Sequence, residues 1–215
     1  MLSNPCGGAR WETLPDGLIE IEGQGTPAFE PGSERFLQME QSWENWAPLI
    51  RAAARDNGIP ARWILATICQ ETGPWSDDPE KQATIVSFDG GVGLMQITDK
   101  SLGNPRDMLD PATNVAVGSA LIGRLARQYD GELPEIAASY NAGRVRCGAT
   151  GNPWGMVMTG DYVGGVVKWN NAAVLYMKLE SPHLMLGLSL GAVGLVTAAM
   201  LVGLVPTPKP LRRLV

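Results

Sequence analysis

The 215-residue sequence predicts a mainly α-helical domain with a small β element, followed by one transmembrane helix. Three observations predict it. Apolar residues recur at helical spacing between start and stop residues over most of 33–180, a short alternating stretch with a Pro-Asp-Gly turn precedes them, and 184–205 carries no charge at all. The expected organisation is a Gly- and Pro-rich segment 1–32, a helical domain 33–180, a membrane span 184–205 and a basic tail 206–215.

Taken in order, Trp11 to Leu14 and Leu18 to Ile21 flank Pro15-Asp16-Gly17, which suits two short strands and a turn. Ser33 can cap a helix carrying Phe36, Met39 and Trp43. Pro48 can open another that stops at Asn57-Gly58. Pro60 and Gly73-Pro74 bracket a helix from Ala61 to Thr72 with Ala61, Ile64, Leu65 and Ile68 on one face. A loop is expected from Pro74 to Thr98, holding Gly90, Gly91 and Gly93. Asp110-Pro111 then caps a helix with Val117, Leu121, Ile122, Leu125 and Tyr129 on one side, closed by Gly131. Pro134 to Asn141 is a short helix, and Asp161 to Lys178 a last one with Val163, Val166, Val167, Asn170, Val174 and Met177 along a stripe.

Composition excludes several functions. Acids outnumber bases 22 to 17, and no basic run alternates with aromatics, so no nucleic-acid partner is expected. Cys6, Cys69 and Cys147 are too few and too scattered for a metal cluster; neither zinc nor a disulfide framework is expected, and no cofactor. The single histidine, His183, borders the apolar run with no Ser or Cys arranged beside it for a nucleophilic triad.

One residue breaks the helical pattern in a way that suggests chemistry. The Ala61–Ile68 stripe, continued by i, i+3 and i+4, brings Glu71 onto the inward face in the last turn. Apolar surroundings and the negative end of the helix dipole both disfavour its ionised form, so it should hold a proton near neutrality. That is the state a general acid needs to protonate a glycosidic oxygen. From spacing alone, a glutamate at a frayed helix end facing water remains the other reading.

The surrounding motifs resemble a known family. Gln70-Glu71-Thr72-Gly73, then Ser87 to Ile97 (Ser-Phe-Asp-Gly-Gly-Val-Gly-Leu-Met-Gln-Ile), then Ala138-Ser139-Tyr140-Asn141-Ala142-Gly143 are similar to the three ordered motifs of the soluble-lytic-transglycosylase-like (SLT) domain. The resemblance covers about 48 to 170, including Asp110-Pro111, Asn114 and Tyr162-Val163. It implies a lysozyme-like fold related to goose-type lysozyme and cleavage of peptidoglycan glycan strands with a 1,6-anhydro-muramic product. It also implies roles: Glu71 as the catalytic acid and base, Ser87 before the Gly-rich turn, Met95 and Gln96 on the groove floor, Tyr140 and Asn141 on the wall facing the acid. As residue types, Met95 could equally fill a core, Gln96 be a solvated loop residue, Tyr140 be a core aromatic, and Trp75 and Trp154 either stack on sugars or pack inside.

Two departures stand out. Sixteen positions separate Glu71 from Ser87, several more than the family usually has, and the added loop carries Asp77, Asp78 and Glu80; Asp89 also lies within the Gly-rich motif. A second carboxylate would suit a hydrolytic muramidase instead. Thr72 stands where the family more often has Ser. A non-catalytic, membrane-anchored wall-binding protein is the rival from another class.

The span 184–205 is long enough to cross a bilayer core of about 30 Å. Lys209, Arg212 and Arg213 follow it, which by the positive-inside tendency leaves the tail in the cytoplasm and the enzyme facing the wall. The start shows no basic and apolar export pattern. These features together suggest a phage-encoded protein held in a virion membrane or the host inner membrane, with Gly187 and Gly191 suited to weak helix-mediated self-association.

Overall fold

Residues 4–73, 78–98, 102–148 and 151–180 are described by the computed structural model of the protein. The expected span 184–205, the tail, His183, Gly187, Gly191, Trp75 and Asp77 lie outside the described residues. Among the described residues no helix is long and apolar enough to cross a membrane. The chain divides into a unit Met1–Tyr176 and a second, Met177–Val215, of which only the first few residues are described.

The expected hairpin forms. β1 (Trp11–Thr13) pairs antiparallel with β2 (Ile19–Ile21), Trp11 opposite Ile21 and Thr13 opposite Ile19. Alternation puts Trp11, Ile19 and Ile21 inside and turns Glu12 and Glu20 outward. The helices are α1 (Glu34–Asn57), α2 (Ala61–Glu71), α3 (Pro79–Thr84), α4 (Pro111–Gln128), α5 (Leu133–Ala142) and α6 (Gly160–Glu180). α1 packs on α2 and α4, and α4 on α5.

Several boundaries differ from expectation for identifiable reasons. Pro48 does not open a helix; it lies within α1, which runs unbroken from its Ser33 cap to the left-handed Gly58. An interior proline costs about 3 kcal/mol. Phe36, Met39, Trp43, Ala47, Ile50 and Ala54 nevertheless form one buried stripe across it, and that burial offsets the lost bond. Within the expected loop from Pro74, α3 forms, capped by Asp78, whose side chain accepts from the amides of Glu80 and Lys81. The buried face of α4 is also rotated from the apolar stripe. It consists of Asn114, Val115, Gly118, Ser119, Ile122, Gly123 and Leu125, while Val117, Leu121 and Tyr129 are half-buried. Small residues face inward because neighbours press close there: Met95 lies against Gly118, and Asn57 against Gly123.

α6 carries the expected stripe, with Val163, Val166, Val167, Asn170 and Val174 buried and Met177 half-buried. Asn171 beside it bonds to β2 as a strand would: Oδ1 accepts from the Ile19 amide at 2.8 Å, and Nδ2 donates to Ile19 O at 2.9 Å. The hairpin edge is thereby satisfied by a side chain.

The cysteine expectation is corrected. Cys6 and Cys147 form a disulfide, and Cys69 is free and buried. Spacing could not reveal a bond between residues 141 positions apart. The bridge fastens the N-terminal segment to the loop after α5, where Asn4 Nδ2 also donates to Trp154 O at 3.0 Å. Trp154 is core, packed against Trp11, and not a sugar platform. Replacing both Cys6 and Cys147 by Ser is expected to cost about 2–5 kcal/mol, because so long a loop is closed. Thermal melting of the double variant should show it, and reduction of the wild type should reproduce the loss.

Candidate active site

Glu71 is the last residue of α2 and Thr72 is its C-terminal cap. Thr72 is fully buried, its hydroxyl shared between Leu94 O at 3.0 Å and Ile68 O at 3.2 Å. Gln82 of α3 donates to that hydroxyl and accepts from Trp46 Nε1 at 2.9 Å. The end of α2 is thus tied to the Gly-rich turn, to α3 and to α1 at once. The threonine that departs from the usual serine makes this tie with its hydroxyl.

The Glu71 carboxyl receives a 2.5 Å hydrogen bond from the Tyr162 hydroxyl, in the first turn of α6. Gly165, one turn further along α6, lies against the end of the Gln70 side chain, which a Cβ there would displace. Burial pushes Glu71 up to about 7, against the Tyr162 bond, which favours the carboxylate; the negative charge of Asp89 adds to the rise. Burial raises both Tyr140 and Tyr162 well above the ordinary tyrosine range, so both remain neutral hydroxyls.

The turn opposite is built from local bonds. Ser87 N donates to Gly91 O at 2.8 Å, Gly91 N donates to Ser87 Oγ at 2.9 Å, and Ser87 Oγ donates to Asp89. The serine hydroxyl, and after it the Gly91 amide, which also donates to Asp89, hold Asp89 below the usual carboxylate range. Beneath the turn, buried Asn114 accepts from Met95 N at 2.8 Å and donates to Val92 O at 2.7 Å and Met108 O at 2.9 Å. Gly93 has a φ of 71° and lies so close to Asn114 Nδ2 that a side chain there would collide with it. Gln96 adopts a φ of 48°, an unusual backbone for a non-glycine residue, and its amide donates to Gly93 O at 2.8 Å.

A cavity of about 440 Å³ opens between these parts. Glu71, Ser87, Gln96, Tyr140 and Asn141 all line it, so five of the six residues expected from the sequence meet at one place. Met95 does not line it. Its side chain is fully buried against Gly118, under the floor, and it contributes only a carbonyl, which accepts the Tyr140 hydroxyl at 2.7 Å. A thioether fits the space above a glycine, whereas a sugar could not reach it. The hydroxyl of Tyr140 is therefore engaged by the floor, and Tyr162 is the partner of the acid.

Tyr162 is the functional residue that reasoning from the sequence missed. It belonged to the resembling stretch, but nothing in its spacing pairs it with Glu71 across 91 positions. Phe88, within the Gly-rich motif, lines the same cavity with its ring fully exposed, beside Val86, 61% exposed. Of the acids in the longer loop, Asp78 caps α3; among the described residues, Asp89 of the Gly-rich motif is the acid that joins Glu71 in the cavity. Among the described residues, no three His, Cys, Asp or Glu side chains are grouped to hold a metal.

Comparison with known proteins shows what this arrangement is similar to. Residues 48–152 match the family model of the Transglycosylase SLT domain. The 70 kDa soluble lytic transglycosylase of Escherichia coli matches with 18% identity and a TM-score of 0.52 over 66% of this chain and 29% of that one. A complex of the 70 kDa soluble lytic transglycosylase with bulgecin A matches at 20% identity and a TM-score of 0.50, over 61% and 24%. An inactive mutant of lytic transglycosylase Slt from Pseudomonas aeruginosa matches at 20% identity and 0.49, over 63% and 24%. The chain spans about a quarter of the length of these enzymes. Residues 48–152 are thus similar to a transglycosylase SLT domain, and the described fold is mainly helical with a small two-stranded sheet.

The two neighbours of Glu71 act with opposite sign, and this is testable. Tyr162→Phe removes the bond that favours the carboxylate and is expected to raise the Glu71 pKa above about 7, whereas Asp89→Asn removes a repulsion and should lower it. Carbon-detected NMR titration of the Glu71 carboxyl in each variant reads both shifts.

Proposed function

We propose that the protein is a peptidoglycan lytic transglycosylase, cutting the β-1,4 bond between N-acetylmuramic acid and N-acetylglucosamine and leaving a 1,6-anhydro-muramic end. The observation that carries this reading is a glutamic acid held near a pKa of about 7 in a cavity lined by amides, hydroxyls and an exposed phenyl ring. The cavity volume of about 440 Å³ suits an aminosugar, whose hydroxyl and N-acetyl groups meet Gln96 and Asn141 and whose apolar ring face meets Phe88.

The chemistry uses one carboxyl group twice. Protonated Glu71 gives its proton to the glycosidic oxygen as the C1–O bond breaks, and the substrate's own N-acetyl oxygen stabilises the positive carbon. The resulting Glu71 carboxylate is held by the Tyr162 hydroxyl, so the charge created within the cavity has a donor already in place. That carboxylate then takes the proton of the muramic 6-hydroxyl as its oxygen bonds to C1. Glu71 ends protonated, and no water is consumed.

Asp89 favours a second reading, hydrolysis by a muramidase on the same fold. It is ionised, lines the same cavity and is near enough for its charge to act on Glu71. The anhydro product is one water lighter than the hydrolysed one, so mass spectrometry of digested wall separates the two.

The setting we propose is a membrane facing the wall, in a phage virion or the host inner membrane, with 184–205 as the anchor and 206–215 on the cytoplasmic side. The uncharged run supports the anchor, and the Cys6–Cys147 bond supports a domain working in an oxidising compartment. Fractionating virions and host envelopes with a tag after Val215 tests it; recovery in the soluble fraction alone would reject it.

Glu71→Gln is expected to lower wall cleavage by at least about 10²-fold while leaving the fold intact, as read by zymography and circular dichroism. Since the acid must start protonated, wild-type activity should fall as pH rises through about 7. In Tyr162→Phe that alkaline limb should move upward.

A further inference from the structure

α3 stands in the chain between Glu71 and Ser87, both of which line the cavity, within the stretch that is longer than the resembling family usually has. Hydrophobic burial does not explain its place. Of its six residues only Gln82 and Ala83 are buried, so the helix brings inward one methyl group and one amide.

The direction of the bonds at that amide is fixed. An indole N–H can only donate, so Trp46 Nε1, on α1, must meet Gln82 Oε1, 2.9 Å away. Nε2 then faces the hydroxyls of Thr72 at 3.3 Å and Ser42 at 3.4 Å, and donates to both. With Thr72 Oγ1 already accepting from Gln82, its own proton can go only to a carbonyl, Leu94 O at 3.0 Å or Ile68 O at 3.2 Å. Only the first of these reaches out of α2; the second is the bond a helical threonine can always make to its own helix. Donation into the hydroxyl oxygen polarises it and strengthens the bond it gives to Leu94 O. Gln82 is 2% exposed and Thr72 is fully buried, so water does not compete for these bonds.

We propose that Gln82 is a positioning residue for the acid: oriented by Trp46, its amide directs the Thr72 hydroxyl to Leu94 O and so holds the end of α2 against the Gly-rich turn. Gln82 does not line the cavity and touches no substrate. The role of Glu71 as acid rests on the transglycosylase reading, whereas its placement can be measured without turnover.

Gln82→Met keeps the volume and removes the amide's bonds. It is expected to lower kcat about fivefold, the equivalent of one net hydrogen bond, with KM within about twofold of wild type. Carbon-13 titration should find the Glu71 midpoint below about 7, because the loosened end of α2 admits water. Asp89, Tyr140 and Tyr162, the titratable groups that interact with Glu71, are the same in this variant. In a Thr72→Val background Gln82→Met should change neither quantity further, because its action passes through the hydroxyl; in Thr72→Ser it should cost as much as in the wild type. An equal loss in Thr72→Val, or a lower melting temperature with kcat and midpoint unchanged, would make Gln82 a brace of the fold only and overturn the proposal. Trp46→Phe leaves Gln82 in place and frees its amide to turn, and it should reproduce part of the midpoint shift. It keeps the test decisive if Gln82→Met does not fold, since an unmoved midpoint there overturns the proposal too. Midpoints that move as stated in a protein that cleaves no wall strand would uphold the positioning of Glu71 and overturn the transglycosylase reading.

Discussion

Withdrawing the Glu71 carboxyl from water makes its charge costly, and much of the surrounding architecture serves to keep it there with a single partner. Thr72 fastens the end of α2 to the Gly-rich turn through Leu94 O. The first turn of α6 brings the Tyr162 hydroxyl within 2.5 Å of the carboxyl. Asn114 holds the turn from below through three backbone contacts. None of these residues needs to touch a substrate; each determines where the acid sits and how dry it is.

In the proposed mechanism, a group that serves first as acid and then as base benefits from opposed influences. Burial alone would favour the neutral form so strongly that the second half of the proposed reaction would suffer. The Tyr162 bond favours the anion, and the balance leaves Glu71 near 7, where neither protonation state is far from accessible. Asp89 tips that balance toward the protonated form while remaining ionised itself, because Ser87 and Gly91 stabilise its charge. The turn therefore shapes the cleft and also contributes to the electrostatics of the acid.

What was legible in the sequence followed from local rules. Capping residues located the start of α4 at Asp110-Pro111, alternation located the hairpin, and one carboxylate in an apolar stripe marked Glu71. Features decided by distant contacts were not legible. Pro48 remains helical because the stripe around it is buried, and the inward face of α4 is set by glycines that an apolar count ignores. The Cys6–Cys147 bond and the Glu71–Tyr162 pair join residues far apart in the chain. Met95 shows the remaining gap: the motif pointed to the groove floor, and only packing against Gly118 shows that its side chain lies beneath that floor and not on it.

The central claim is that the folded protein holds Glu71 protonated close to neutral pH. Carbon-13 titration of its side-chain carboxyl in the unmodified protein tests this most directly. A midpoint at about 7, well above the ordinary 4.5, is the result the account requires. A midpoint near 4.5 would mean that the group is hydrated like any surface glutamate, and a single-carboxylate mechanism could not be built on it.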